Sequence, residues 1–408
     1  MGEILFLAHR VPFPPDRGDR IRSHNILKAL TRLAPVHVGC FAEDQSGGDG
    51  ERALAALAAT HCVVSRSKPL PLAGIEAIVT RKPVSLTAFH SRSLADWVRG
   101  IIATRPITAI VVFSGQMGQY VPIDFGGRVV IDLCDVDSAK FASYADAGER
   151  VWLNAREARL LAIEEERLGV RSDATVLVSK AEAAMYRSRL DAPEAVDVHV
   201  IGNGIDFDYF DPAAVAAHPP IAAMPGPHFV FTGQMDYRPN EQAALWVIEA
   251  LLPRLHALHP QAMFHVVGRN PTSRLMAHHG KRGVMVWGEV PDVRPFIAAA
   301  DAVLAPLLIA RGVQNKVLEA MAMAKPVVLT PDAATGIAAD NERDWLVCRS
   351  DPAQMSEQID ALLSAHGSAS RMGAAARAFV CKQHGWDAVL APLANLIGIR
   401  TEDRRDAA

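Results

Sequence analysis

Short runs made almost wholly of apolar residues recur along this chain, and several end at a glycine or a proline. Ile4–Leu7, Thr108–Phe113, Phe229–Thr232, Ala262–Val267 and Ala302–Ala305 are of this kind. A strand with one wet face alternates apolar and polar residues, whereas a continuous apolar run suits a parallel sheet buried on both faces. Stretches with helical spacing, such as Ser23–Leu30 and Asn240–Leu258, lie between the runs. This alternation predicts a doubly wound α/β fold. At 408 residues the chain exceeds one ordinary core, and two domains of about 200 residues each are the natural division. Ala213–Pro227, rich in proline and alanine and without periodicity, is the linker candidate.

The most informative stretch for chemistry is Gly312–Leu329. Gly312 lets the backbone approach a ligand closely. Asn315 is the expected N-cap of a helix running to about Ala324, which Lys325-Pro326 ends before a strand begins at Val327. Free N–H groups and a partial positive charge suit a helix N-terminus to phosphate, and Lys316 adds a full charge there. Glu319 falls on the same face as Lys316 and Asn315. A carboxylate one turn behind a phosphate site can take two hydroxyls of a ribose or a sugar. Glycine, lysine and glutamate so placed describe a nucleotide-sugar pocket. The competing reading is a capped amphipathic helix whose Lys316 and Glu319 form a surface ion pair.

Near the N-terminus a strand, a loop and a helix follow one another, and Arg10, Arg17, Arg20 and Arg22 crowd the loop around Gly18. These cations could meet an anionic substrate or a lipid head group, or be a solvated loop. The run Arg128–Leu133 ends in Cys134-Asp135-Val136-Asp137, and an Asp-x-Asp after a strand offers hard oxygen ligands of the kind that Mg²⁺ or Mn²⁺ takes. The same aspartates could instead cap the next helix or line a cleft, and no metal is expected. Residues 76–104 read as a polar helical region.

Composition narrows the classes. A net charge of −3 gives no basic field for nucleic acid. Five scattered cysteines without a C-x-x-C argue for reduced thiols in a cytosol. The chain opens directly on a strand rather than a signal peptide, and no run has the 18 or so apolar residues of a membrane span. The expected location is cytoplasmic, with a peripheral contact at the inner membrane surface left open by the basic loop.

Several segments together resemble a known family. Val200-Ile-Gly-Asn-Gly-Ile-Asp-Phe-Asp-Tyr-Phe-Asp-Pro212 looks like the interdomain hinge of family-4-like glycosyltransferases of the GT-B fold. Phe231-Thr-Gly233, Val266-Val-Gly268, Trp287–Asp292, Ala299–Pro306 and Leu318–Val328 follow in that family's order and spacing. Phe231–Asn240, Asp135–Ser138 and Val178–Glu182 resemble more closely the sugar transferases associated with PEP-CTERM/exosortase exopolysaccharide systems.

The resemblance implies two facing Rossmann-like domains, the acceptor on the N-terminal one and the donor on the C-terminal one, with a C-terminal helix returning to the first. It sets the domains at residues 1–205 and 228–385, a hinge at 206–227, and a closing helix and tail at 386–408. Carried over, Lys316, Glu319 and Arg238 would be catalytic. Gly18, Gly233, Gly268, Arg311, Gly312, Val313 and Asn315 would help to hold a UDP- or GDP-linked sugar. Arg17, Arg20, Asp135 and Asp137 would lie on the acceptor side.

The implied activity is metal-independent, retaining transfer of a sugar to a glycan, lipid-linked by this reading, with no cofactor beyond the donor itself. Two departures stand out. Arg311 occupies the place of the first glutamate of the family's E-x7-E motif. The histidine that usually follows an N-domain strand is missing, with only Ser114, Gln116, Cys134 or Asp135 nearby. A non-catalytic nucleotide-sugar-binding subunit and a nucleotide-sugar epimerase on the same frame are the alternatives.

Overall fold

A computed structural model describes residues 2–15, 18–42, 48–66, 68–310 and 313–399. The chain forms two compact units, Met1–Gly202 with Leu390–Ala408, and Asn203–Val389. In the first, strands β1 (Glu3–Ala8), β2 (Val36–Ala42), β3 (Thr60–Ser65), β4 (Ile107–Phe113), β5 (Arg128–Cys134), β6 (Ala174–Leu177) and β7 (Val198–Val200) form one parallel sheet. Its order is β3-β2-β1-β4-β5-β6-β7. In the second, β8 (His228–Thr232), β9 (Met263–Val267), β10 (Val284–Gly288), β11 (Ala302–Ala305), β12 (Val327–Leu329) and β13 (Leu346–Val347) are again all parallel, in the order β10-β9-β8-β11-β12-β13. Each unit is a Rossmann-like domain of the expected kind.

The apolar runs are central strands, as their composition requires. Ile4, Leu5, Phe6 and Leu7 of β1, and Phe229, Val230 and Phe231 of β8, are fully buried. Truncating a buried phenylalanine such as Phe231 would cost about 3–5 kcal/mol through lost transfer energy and the cavity left behind. A polar element also lies inside the first unit. Arg22 donates from Nε to Asp132 Oδ2 at 2.9 Å, and from Nη1 and Nη2 to the carbonyls of Gly202 and Ile201 at 2.7 and 2.8 Å. Of the arginines assigned to the N-terminal loop, Arg22 is therefore a core strut.

Other boundaries differ from the sequence reading. The first unit ends at Gly202, upstream of the stretch 206–227 read as a hinge, and Phe210 and Ile221 from that stretch are buried in the core of the second unit. The chain rejoins the first unit from Leu390, not 386, and Arg128 Nε donates there to Leu396 O at 2.8 Å. The expected return of a C-terminal helix is thus present. Gly18 opens the helix Gly18–Thr31 rather than lying in the preceding loop.

The helix expected over Asn240–Leu258 does not simply bend at Pro253. It runs Arg238–Trp246, widens to a π turn over Val247–Leu251, and resumes as Leu252–Leu258. The Leu252 N–H bonds back five residues to Val247 O. Pro253 has no N–H to give and its ring would strike the carbonyl four residues back, so the wider turn relieves both defects.

Candidate active site

In open α/β sheets ligands bind beyond the carboxyl ends of the strands, where the strand order reverses. In the second unit that point lies between β8 and β11. Beyond β8, Gly233 has φ 153°, and a Cβ there would stand 2.9 Å from Asn240 Nδ2 and 3.0 Å from Lys316 Nζ. Only glycine leaves room for both. Gly268, at φ 149°, presses on Gly233 itself, since an added Cβ would overlap the Gly233 carbonyl oxygen. Its role here is close packing of two strand ends.

Beyond β11, the helix Asn315–Ala322 carries the remaining groups. Gln314, not Asn315, is its N-cap, with no side-chain hydrogen bond of the capping kind; Asn315 is the first helical residue and points to solvent. Lys316 Nζ donates to Asn240 Oδ1 at 2.5 Å and lies 4.5 Å from the centroid of the Phe231 ring. Asn240 is fixed in turn by Nδ2 donating to Gln234 O at 2.8 Å. Burial lowers the Lys316 pKa to about 8, with Glu319 pulling the other way. Burial likewise raises the Glu319 pKa to about 7, opposed by Lys316. The surface ion pair of the competing reading is not formed, and Glu319 makes no side-chain hydrogen bond to a described residue. An ammonium with one neutral partner and an unsatisfied carboxylate one turn behind it can take an anion and a pair of hydroxyls.

Arg238 is exposed on the first turn of its helix and pairs with no described residue, while Asn240 from the same turn reaches Lys316. Val313 is half-buried against the core. Arg311 and Gly312, like Arg17, lie outside the described residues. The sequence reading gave no role to Tyr209, whose phenol pKa is raised chiefly by burial, with Asp292 adding, Arg294 opposing and Glu319 adding least. Its ring lies 3.7 Å beneath the Arg294 guanidinium, and Arg294 is itself paired with Asp292 at 2.7 Å. The aromatic in the Asp-Phe-Asp-Tyr-Phe run was the available signal.

In the first unit the strand order reverses between β1 and β4. His9, directly after β1, is buried; its Nε2 is 3.2 Å from Asp19 Oδ2, and its Nδ1 has no partner among the described residues. Arg10 also bonds to Asp19. Burial works against ionisation of Asp19, but hydrogen bonds from His9 and Arg10 outweigh it and hold the carboxyl well below its usual range. Two non-glycine residues have positive φ, Ser114 (φ 74°) just after β4 and Cys134 (φ 65°) as the last residue of β5, and strain of this sort gathers at functional sites.

Asp135 is exposed, and Asp137 opens the helix Asp137–Asp146. Burial raises the Asp137 pKa, Lys140 and His9 oppose, and Asp135 adds to the rise. Arg20 is half-buried in the first turn of Gly18–Thr31, where Gly18 is exposed. Among the described residues no three His, Cys, Asp or Glu side chains are grouped to hold a metal ion. His9 escaped the sequence reading, which sought a histidine after a later strand.

Two parallel Rossmann-like domains, each with polar side chains at its reversal point, define the GT-B class of glycosyltransferase fold. Residues 226–365 match the family described as Glycosyl transferases group 1. The match falls within the second unit and covers about a third of the chain, and with the two-domain fold it marks a glycosyltransferase of GT-B fold. Among solved structures, sucrose-phosphate synthase (tll1590) from Thermosynechococcus elongatus is 16% identical over 100% of both chains, with a TM-score of 0.66. Anabaena Alr3699/HepE in complex with UDP-glucose is 13% identical over 97% of this chain and 99% of its own, with a TM-score of 0.61. A glycosyltransferase from Rickettsia africae ESF-5 is 14% identical over 97% of each chain, with a TM-score of 0.60. At such identities the likeness establishes the fold alone. No curated protein matches the chain.

Proposed function

We propose that the protein moves a sugar from a nucleoside-diphosphate sugar, held by the second unit, to a hydroxyl of a glycan or lipid-linked acceptor received by the first. The observation that carries this reading is the pair Lys316 and Glu319, which share one helix face at a reversal point and form no ion pair although each feels the other's charge. Lys316, with Arg238 and the first-turn N–H groups, meets the diphosphate, and Glu319 takes the ribose hydroxyls. The complexes of Anabaena HepE with UDP and UDP-glucose support a uridine donor.

In the transfer, the bond from the sugar C1 to the diphosphate oxygen breaks and a bond from C1 to the acceptor oxygen forms. The hydroxyl proton passes to the departing phosphate, with retention at C1. Lys316 stabilises the charge that grows on that phosphate, so no metal is required. Exopolysaccharide assembly of the PEP-CTERM/exosortase kind, at the cytoplasmic side of the membrane, is the setting we assign, on the sequence segments quoted above.

The test is release of nucleoside diphosphate from UDP- and GDP-sugars, with and without EDTA. Lys316→Ala is expected to lower kcat by roughly 10²–10³ and EDTA to leave the rate unchanged. Turnover indifferent to Lys316→Ala sinks the proposal. Binding of the donor without turnover on any acceptor would favour a non-catalytic subunit.

A further inference from the structure

The helix Leu70–Thr80 is built inside out. Its inner face is made of small side chains, with Ala73 and Ala77 fully buried and the Thr87 hydroxyl donating to Ala73 O at 2.8 Å. Its large apolar side chains point to water: Leu72 is 57% exposed, Ile75 61%, Ile78 58% and Val79 77%. At helical spacing these four span an arc of about 120°. Ile78 and Val79 of that face lie in the stretch 76–104 that the sequence reading took as polar. A monomer rarely leaves so continuous an apolar surface in water without a use for it.

The patch extends to a second element. Arg156 Nη2 donates to Ala77 O at 2.6 Å and to Lys82 O at 3.1 Å, so the helix Val151–Arg171 begins beside the end of Leu70–Thr80. One turn before Arg156 stands Trp152, 69% exposed. The charge around Leu70–Thr80 is mainly basic, while Asp146, Glu149 and Arg150 precede Trp152. Residues 66–92 hold five basic side chains and one acid in a chain whose net charge is −3. That acid, Glu76, is taken up by Lys68 at 2.7 Å, while Arg81 and Lys82 are exposed and make no ion pair with a described residue.

We propose that this face docks the protein on an anionic lipid surface. Leu72, Ile75, Ile78 and Val79 enter the headgroup–acyl boundary, Trp152 sits at its polar edge, and Arg81 and Lys82 meet lipid phosphates. Binding is interfacial, because no described helix is long and apolar enough to cross a membrane. A second copy of the chain is a poorer occupant, since a self-contact would bring the same uncompensated cations together. The inference deepens the lipid-linked acceptor reading. It also relocates the membrane contact from the N-terminal loop, where Arg10 and Arg22 are engaged by Asp19 and Asp132.

The experiment is co-sedimentation of the full chain with vesicles of phosphatidylglycerol and phosphatidylethanolamine, against vesicles of phosphatidylcholine alone. Binding is expected to the first and not the second, and to weaken when salt rises from about 0.1 to about 0.5 M. Ile75→Glu/Val79→Glu and Arg81→Glu/Lys82→Glu should each weaken it by about tenfold or more. All four positions are exposed, and unchanged melting curves will show that the variants fold. No binding of the parent protein to anionic vesicles overturns the proposal, as does binding indifferent to Ile75→Glu/Val79→Glu. A dimer in sedimentation velocity that this variant dissociates assigns the face to a second copy and overturns it equally. Nucleotide binding and transfer to a water-soluble acceptor are read on the same proteins. Their loss with vesicle binding intact strikes the sugar-transfer reading, and the converse strikes only the lipid surface.

Discussion

The two reversal points use charge in opposite ways. In the first unit the charged groups are largely spent on one another: Asp19 takes up His9 and Arg10, and Asp132 takes up Arg22. In the second, Lys316 has only a neutral amide for a partner and Glu319 no hydrogen-bond partner among the described residues. Both of the latter are held away from their ordinary pKa values by burial. A closed network sets geometry and suits a neutral polyhydroxyl ligand. An open pair stores electrostatic free energy that an anionic ligand can release. On the proposed function, the difference marks the second unit as the one suited to a charged donor.

The strongest test of the contrast exchanges stability for binding. Arg22→Ala should destabilise the fold by about 3–5 kcal/mol in urea unfolding, because it strands Asp132 in the core. Lys316→Ala should cost less, about 1 kcal/mol or under, since it breaks one neutral hydrogen bond and only loosens the charge coupling to Glu319. Should Lys316→Ala unfold the protein and Arg22→Ala leave it intact, the roles assigned to the two units are reversed.

A second, smaller effect is the pH dependence of donor affinity. A diphosphate favours protonated Lys316, so affinity is full below its pKa of about 8 and falls as pH rises through it. Hydroxyl donors favour ionised Glu319, so affinity also falls as pH drops below about 7. Calorimetric Kd values should pass through a narrow optimum between those limits, losing up to about tenfold per pH unit on each side. Lys316→Arg should flatten the alkaline limb and Glu319→Gln the acid one. A flat profile would mean that the pair does not touch the ligand.

The smallest effect concerns His9, whose unpartnered Nδ1 can accept one hydrogen bond from an acceptor hydroxyl. His9→Gln should raise the acceptor KM by roughly tenfold at most, the worth of one such bond, with donor affinity unchanged. A change in donor affinity instead would place His9 with the wrong substrate.

How far the sequence discloses all this follows from distance along the chain. A parallel strand buried on both faces is written in consecutive residues, so β1, β4 and β8 are legible. Lys316 and Glu319 are legible because helical spacing joins them. Asn240 lies 76 residues from the lysine it binds, and Arg22 lies 110 from Asp132. No local pattern announces either contact, and Arg22 reads as one more loop cation. The helix Leu70–Thr80 misleads for another reason, because alanine lines its inner face where larger side chains would be expected.

The widened turn at Val247–Leu251 and the proline that follows it form one coupled unit. Proline at position 253 in a regular helix, and an extra residue in a helix without that proline, would each be harmful alone. Together they cancel. A change at either one alone, Pro253→Ala or removal of one residue from the turn, is therefore expected to cost more stability than the two made together.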